Sequence, residues 1–212
     1  MNISPAPYVI NGRETYEVSL ETNSRSSFDV VYKVRDSYKT FIDKQGIFPW
    51  RFEQHIREND YKRDFEANFV QDSMKVYTKV NFADDKSFTA SELYFQDLIS
   101  AFYYARTLDW KGKNEGDVVS FYYFYKDAFQ KLDIRFEGRE EVDVEAGEFR
   151  TLVIKPILKE GFTSKTSDIL IWLTDDERKI PVKVKLKIII GAIEAELTSY
   201  SGIYGTIDAK IK

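Results

Sequence analysis

The stretch that decides the fold is YKRDFEANFVQDSMKVYTKV, residues 61–80. In it Tyr61, Phe65, Ala67 and Phe69 alternate with Lys62, Asp64, Glu66 and Asn68. Successive side chains of an extended strand point to opposite faces, so this run offers one apolar and one charged side. Gln71-Asp72-Ser73 then supplies turn residues, and Met74, Val76 and Val80 follow. Asp and Ser bond their own backbone in turns, and the segment predicts an antiparallel hairpin.

The same period recurs on both sides of it. Upstream, Tyr16, Val18 and Leu20 alternate with Thr15, Glu17 and Ser19. Phe28, Val30, Tyr32, Val34, Asp36, Tyr38 and Ile42 share one parity, and Phe48, Trp50, Phe52 and Ile56 alternate with polar neighbours. Downstream, Phe121 to Tyr125 is five aromatics in a row, predicting a strand with rings on both faces. Phe129 to Phe136 and Phe149 to Leu158 follow, with Gly138 and Gly147 in the connections and a polar loop over 159–167. Ile169 to Leu173 leads into a Thr174–Glu177 turn. Ile180, Val182, Val184, Leu186 and Ile188 then alternate with Lys183, Lys185 and Lys187. Beyond Gly191, Ile193, Ala195 and Leu197 alternate with Glu194 and Glu196.

One segment has a different period. In DLISAFYYARTL, residues 97–108, the side chains Leu98, Ala101, Phe102, Ala105 and Leu108 fall on one helical face, with Asp97 as N-cap. The expected fold class is therefore mostly β and antiparallel, with one main helix at about 97–108. No composition shift, repeat or linker interrupts residues 1–212, which predicts a single β-rich domain.

Composition narrows the function classes. Fourteen Tyr and sixteen Phe among 212 residues predict a core built on ring packing. A net charge of -4 argues against nucleic-acid binding, which needs a concentrated basic surface. Without cysteine there is no thiolate nucleophile, Cys-bound zinc or disulfide framework. No apolar run reaches the length of a membrane-spanning helix. The opening MNISPAPYVING lacks a basic segment followed by an apolar one, so either the protein is not exported or its export segment is missing from this chain.

Catalytic motifs do not emerge. The single histidine, His55, sits on the polar parity among Arg51, Glu53 and Arg57, as a solvated or surface-paired residue. No Gly-x-Ser-x-Gly elbow occurs. Asp84-Asp85 and Asp175-Asp176-Glu177 read as turns without calcium-loop spacing, and the loop from Gly112 to Gly116 lacks a phosphate-binding ending. No metal or other cofactor is implied. Tyr122, Tyr123 and Trp172 suit core packing better than sugar stacking.

Three charges break the pattern: Asp36 between Val34 and Tyr38, Arg63 between Tyr61 and Phe65, and Arg106 within the aromatic helix. A charge on an apolar face has to be paired or turned outward. For Asp36 the readings are a bulge that turns it outward, an ion pair with Arg63 or Arg106, or contact with a ligand. Asp36, Arg63 and Arg106 are the candidate ligand-binding residues. The Lys183, Lys185 and Lys187 stripe reads as an edge-strand guard against aggregation, a solvated face, or a contact for an anionic envelope component.

KVRDSYKTFID (33–43), DLISAFYYAR (97–106), IWLTDDERKIPVKV (171–184) and GAIEAEL (191–197) occur in that order. In these the chain resembles the bacterial domain of unknown function 3108 family over nearly its whole length. The resemblance implies an exported protein of the periplasm or outer envelope of a Gram-negative bacterium. It implies a large curved antiparallel sheet with a helix, a half-barrel or open barrel like that of lipoprotein carriers, and no catalytic residues to transfer. Family members carry an export signal and extra strand residues before the region matching Tyr16, so the chain is expected to start late.

The function expected is a non-catalytic binding or carrier module for an apolar or amphiphilic ligand, such as an envelope lipid. Two alternatives stand beside it: a structural or assembly protein acting through surface contacts, and a polysaccharide hydrolase using two carboxylates.

Overall fold

The computed structural model describes residues 1–4, 9–24, 29, 32–81, 83, 85–157, 166–188 and 192–212. Several expectations lie outside the described residues: Phe28, Val30, Asp84, Leu158, Gly191, and the loop from residue 159 up to 165. The side chains of Ile188 and Ile193 are likewise not described. The described residues are mostly strand with one α-helix, arranged as two antiparallel sheets, neither of them closed. They group into two compact units, Met1–Tyr104 with Tyr122–Gln130, and Ala105–Phe121 with Lys131–Lys212. The chain passes from one unit to the other three times, so no single linker divides them.

The first unit holds β1 (Asn2–Ser4), β2 (Val9–Ile10), β3 (Arg13–Asn23), β4 (Arg35–Asp43), β5 (Pro49–Glu58), β6 (Tyr61–Val70), β7 (Lys75–Val80) and β8 (Lys86–Thr89). They form one sheet in the order β1-β3-β4-β5-β6-β7-β8, with β2 on β3. The β6–β7 pair is the hairpin expected from residues 61–80, joined by a short 3-10 turn at Gln71–Ser73. α1 (Leu98–Thr107) begins in this unit, and Asp97 caps it. Phe52, Phe69, Phe95, Ile99 and Phe124 pack into the core with Val18, Ile42, Ala67 and Val76. Burying each large apolar side chain contributes roughly 1.5–3 kcal/mol. Tyr16 departs from its expected place: it is exposed, with Lys44 Nζ 5.4 Å over its ring, while Thr15 is buried.

A carboxylate organises the turn between β4 and β5. Asp43 accepts a two-pronged bond from Arg13 at 2.7 and 2.8 Å, the Gln45 and Gly46 N–H groups at 2.9 and 2.8 Å, and the Trp50 indole at 3.1 Å. Burial works to raise its pKa, but Arg13, the backbone N–H groups and Trp50 outweigh it and hold Asp43 well below the usual carboxylate range.

The second sheet runs β14-β13-β12-β11-β10-β9. Its strands are β9 (Val118–Tyr125), β10 (Ala128–Val144), β11 (Gly147–Ile157), β12 (Thr166–Thr174), β13 (Pro181–Ile188) and β14 (Ala192–Glu196). β10 is long and is bent by a register shift between Phe136 and Gly138, where Gly138 takes a φ of 122° that other residues avoid. In the second unit the C-terminal residues pair with β11: Arg150 N–H donates to Ala209 and Ile211 N–H to Glu148, each at 2.8 Å. Ile207 and Ala209 thereby join Phe149, Val153, Trp172, Ile180 and Val182 in one core.

The lysine stripe is a correction. β13 is not an edge strand, because β14 pairs beyond it with Lys183 opposite Glu196 and Lys185 opposite Glu194. Lys183 Nζ lies 2.8 Å from both glutamates, and Lys185 Nζ lies 2.7 Å from Glu194. The glutamates of the following alternating run were there to be read as the partners of these lysines.

Candidate functional site

The alternation that defines β6 also builds a pocket. Tyr61, Arg63, Phe65, Ala67 and Phe69, every second residue, line a pocket of about 300 Å³ within the first unit. β5 supplies Phe52, Gln54 and Ile56 by the same rule. Register makes the wall continuous, with Ile56 opposite Arg63, Gln54 opposite Phe65 and Phe52 opposite Ala67. Asp97 and Leu98 enter from the start of α1, and Phe124, Tyr125 and Lys126 from the β9–β10 hairpin.

The wall runs from wet to dry. Tyr61 is 56% exposed and Lys126 is exposed, Arg63 and Phe65 are half-buried, and Ala67 and Phe69 are each 1% exposed. Along one strand the pocket thus passes from cationic and aromatic side chains to closely packed rings.

Arg63 is held in place without a carboxylate. Its Nη1 donates to Gln54 Oε1 at 2.6 Å, and the guanidinium lies 4.8 Å from the Phe65 ring centroid. Among the described residues it forms no ion pair. Gln54 also bonds Tyr38, whose pKa is raised by burial and by the Asp36 charge. Burial raises Tyr125 as well, and the Arg63 charge partly opposes this.

Asp97 is the acidic group on the wall. Its Oδ1 accepts the Ile99 and Ser100 N–H groups at 2.7 and 2.8 Å, and Oδ2 accepts the Thr40 hydroxyl. Ser100 Oγ accepts the Asp97 N–H at 2.8 Å in return, a reciprocal cap. Burial pushes the Asp97 carboxyl up to about 6 although Thr40, Ser100 and Ile99 pull the other way.

Of the three candidate residues, Arg63 lines this pocket and Asp36 and Arg106 do not. Asp36 keeps its inward parity and is buried, with no bulge between β3 and β4. Pairing of β4 with β5 ends at Ser37 opposite His55 and returns as one bridge at Val34 opposite Glu58. In that gap the Asp36 carboxylate accepts the Arg57 N–H at 2.9 Å. No ion pair joins it to Arg63 among the described residues. Arg106 belongs to the second unit, where Nε donates to the Lys179 carbonyl at 2.8 Å and Nη2 to that of Arg178 at 2.9 Å. His55 is exposed and bonds Asp64 at 2.7 Å. Tyr123 and Trp172 are buried and Tyr122 is exposed.

Gln54 and Lys126 escaped the sequence reading, and Asp97 was seen only as a cap. Gln54 had a signal: it breaks the apolar parity between Phe52 and Ile56 as Arg63 does on the facing strand. The acidic turn of the second unit is spoken for: Asp175 bonds Arg139, Glu177 bonds Lys111, and Asp176 accepts the Thr174 hydroxyl and the Arg178, Lys179 and Ala209 N–H groups. Among the described residues no group of three or more His, Asp or Glu is placed to hold a metal ion.

A family model described as "Protein of unknown function (DUF3108)" matches residues 1–198. The chain belongs to the DUF3108 family. Among solved structures it is similar to a crystal structure of a beta-barrel-like protein of domain of unknown function DUF1849 from Brucella abortus. That likeness has a TM-score of 0.58 at 12% identity and covers 86% of this chain and 80% of the other. It speaks to the fold alone. No curated protein matches the chain.

Proposed function

We propose that this DUF3108 protein is a non-catalytic binding or carrier module of the bacterial envelope, which holds an apolar or amphiphilic ligand in the pocket walled by β5 and β6. The observation that carries the reading is the gradient along β6, from exposed Tyr61 through half-buried Arg63 to Phe69 at 1% exposure. Small-molecule sites are mostly apolar concavities with a few placed polar groups. At about 300 Å³ the pocket suits a single chain or ring rather than a multi-chain lipid. Among the described residues Asp97 is the one carboxylate on the wall, whereas glycoside hydrolysis uses two. An envelope location follows the family resemblance, and fractionation of cells expressing the full gene product tests it.

The binding test is native mass spectrometry after incubation with envelope lipid extract. One retained small molecule per chain is expected, and Ala67→Phe, which fills the dry end, should abolish it. If no molecule is retained, the reading fails.

A further inference from the structure

Resting on that carrier reading, we infer that the ligand is an anion: one apolar chain ending in a carboxylate or phosphate head, gripped by the Arg63 guanidinium with Lys126 as a second, more exposed cation. The two faces of β6 make the case. On the outward face each acid is matched: Asp64 lies 2.6 Å from Arg57 and 2.7 Å from His55, and Glu66 lies 3.1 Å from Arg51. On the inward face Arg63 stands in an apolar row, and among the described residues its side chain has only the neutral Gln54 amide oxygen as hydrogen-bond acceptor. A guanidinium carries five N–H donors, and those that Gln54 does not take are not buried but open toward the pocket, where an anionic head could accept them. Asp97 does not serve, because Ile99, Ser100 and Thr40 already engage both of its oxygens.

The hairpin turn adds an independent observation. Lys126 and Asp127 both take positive φ, 48° and 59°, at the two central positions of a tight turn that ordinarily calls for Asn-Gly. A turn of this kind fixes the backbone from which the Lys126 side chain departs. Here it sets a cation at the wet end of the pocket, with Nζ 5.3 Å from the Tyr125 ring centroid. Guanidinium matches the two oxygens of a carboxylate or phosphate, and the dry rings beyond it match a chain.

The test is competition against a neutral, environment-sensitive naphthylamine dye, using dodecanoate, dodecyl phosphate, dodecanol and dodecyltrimethylammonium on the unaltered protein. Both anions should bind about tenfold more tightly than dodecanol, as a charge-assisted bond at a half-exposed site predicts. A preference for one anion over the other identifies the head as carboxylate or phosphate. Arg63→Gln should remove most of the gap and leave dodecanol unchanged, Arg63→Lys should restore part of it, and Lys126→Asn should narrow it by less. Dodecanol binding as tightly as the anions, or an undiminished anion preference in a folded Arg63→Gln, would overturn the inference while the carrier reading stood. If none of the four displaces the dye, both fall. The comparison of ligands on the unaltered chain decides the matter even if a variant does not fold.

Discussion

In the second unit residues near the C-terminal end pack against β11 and β12, with Ile207 and Ala209 among Phe149, Val153 and Trp172. In the first unit the wall made by β5 and β6 keeps a pocket of about 300 Å³ whose far end is lined by buried Ala67 and Phe69. Charges follow the same division. Lys183 and Lys185 of the second sheet meet Glu194 and Glu196, while Arg63 in the pocket meets a neutral amide. Both regions come from strands with the same alternating pattern. The difference lies in what each face is given to touch: an opposite charge in the second sheet, a neutral amide in the pocket of the first.

The comparison is most easily broken by truncating one ring in each region. Phe149 is fully buried, so Phe149→Ala should cost about 3–5 kcal/mol in chemical denaturation. Phe65 faces the pocket and is half-buried, so Phe65→Ala should cost only about 1–2 kcal/mol. Equal losses would mean that the pocket is filled in solution. Next in size is Asp43→Asn, which removes a charge that Arg13, two N–H groups and Trp50 all address. Because Arg13 is partly exposed the loss should be about 2 kcal/mol, confined to the first unit and read there by hydrogen exchange.

Much of this architecture was legible because it is local. The alternation of Tyr61 to Phe69 placed β6, and helical spacing with an Asp placed α1 and its cap. Arg63 was legible as a break in an apolar row, and that break is what the pocket presents. Asp36 gave the same kind of signal for another reason: its carboxylate stands in where β4 and β5 leave a gap in their pairing, which no pattern within one strand reveals. Arg106 also looked anomalous, yet its guanidinium reaches carbonyls more than seventy residues away in sequence. Asp97 is legible as a cap, but its burial beside Thr40 depends on how β4 meets the helix start. Sequence shows that a charge lies on a dry face; only the fold shows what answers it.

Protonation gives a subtler contrast. The Asp43 pKa lies below its unfolded value, so its contribution is full above about pH 4 and is lost as pH falls further. Asp97 has the opposite sign. Its folded pKa of about 6 exceeds the ordinary aspartate value, so the folded form binds the extra proton and stability rises as pH falls from about 6 toward 4. Hydrogen exchange in the first unit should therefore slow between pH 7 and 5, after correction for intrinsic rates, by an amount equivalent to about 1 kcal/mol. In the second unit Glu177 and Glu194 are shifted downward by their lysine partners, so the same acidification should bring no gain there. Asp97→Asn, which keeps an acceptor for the Ile99 and Ser100 N–H groups, should remove the gain in the first unit. If the gain persists in Asp97→Asn, the carboxylate is not its source.

The smallest expected effects are the ones whose signs differ. Lys183 sits between two glutamates at 2.8 Å, and its Nζ lies 5.9 Å from the Trp172 ring centroid. The glutamates are partly exposed, so solvent weakens the pairing, and Lys183→Gln should lower stability by only about 0.5 kcal/mol. Arg63→Gln removes a cation that has no acid to lose and relieves the desolvation of a half-buried charge. It should leave stability unchanged or raise it by up to about 1 kcal/mol. Paired denaturation curves for the two variants, measured without lipid, test this directly. Destabilisation by both to the same extent would show that Arg63 already has a structural role equal to that of Lys183, and the distinction between a matched and an unmatched cation would be lost.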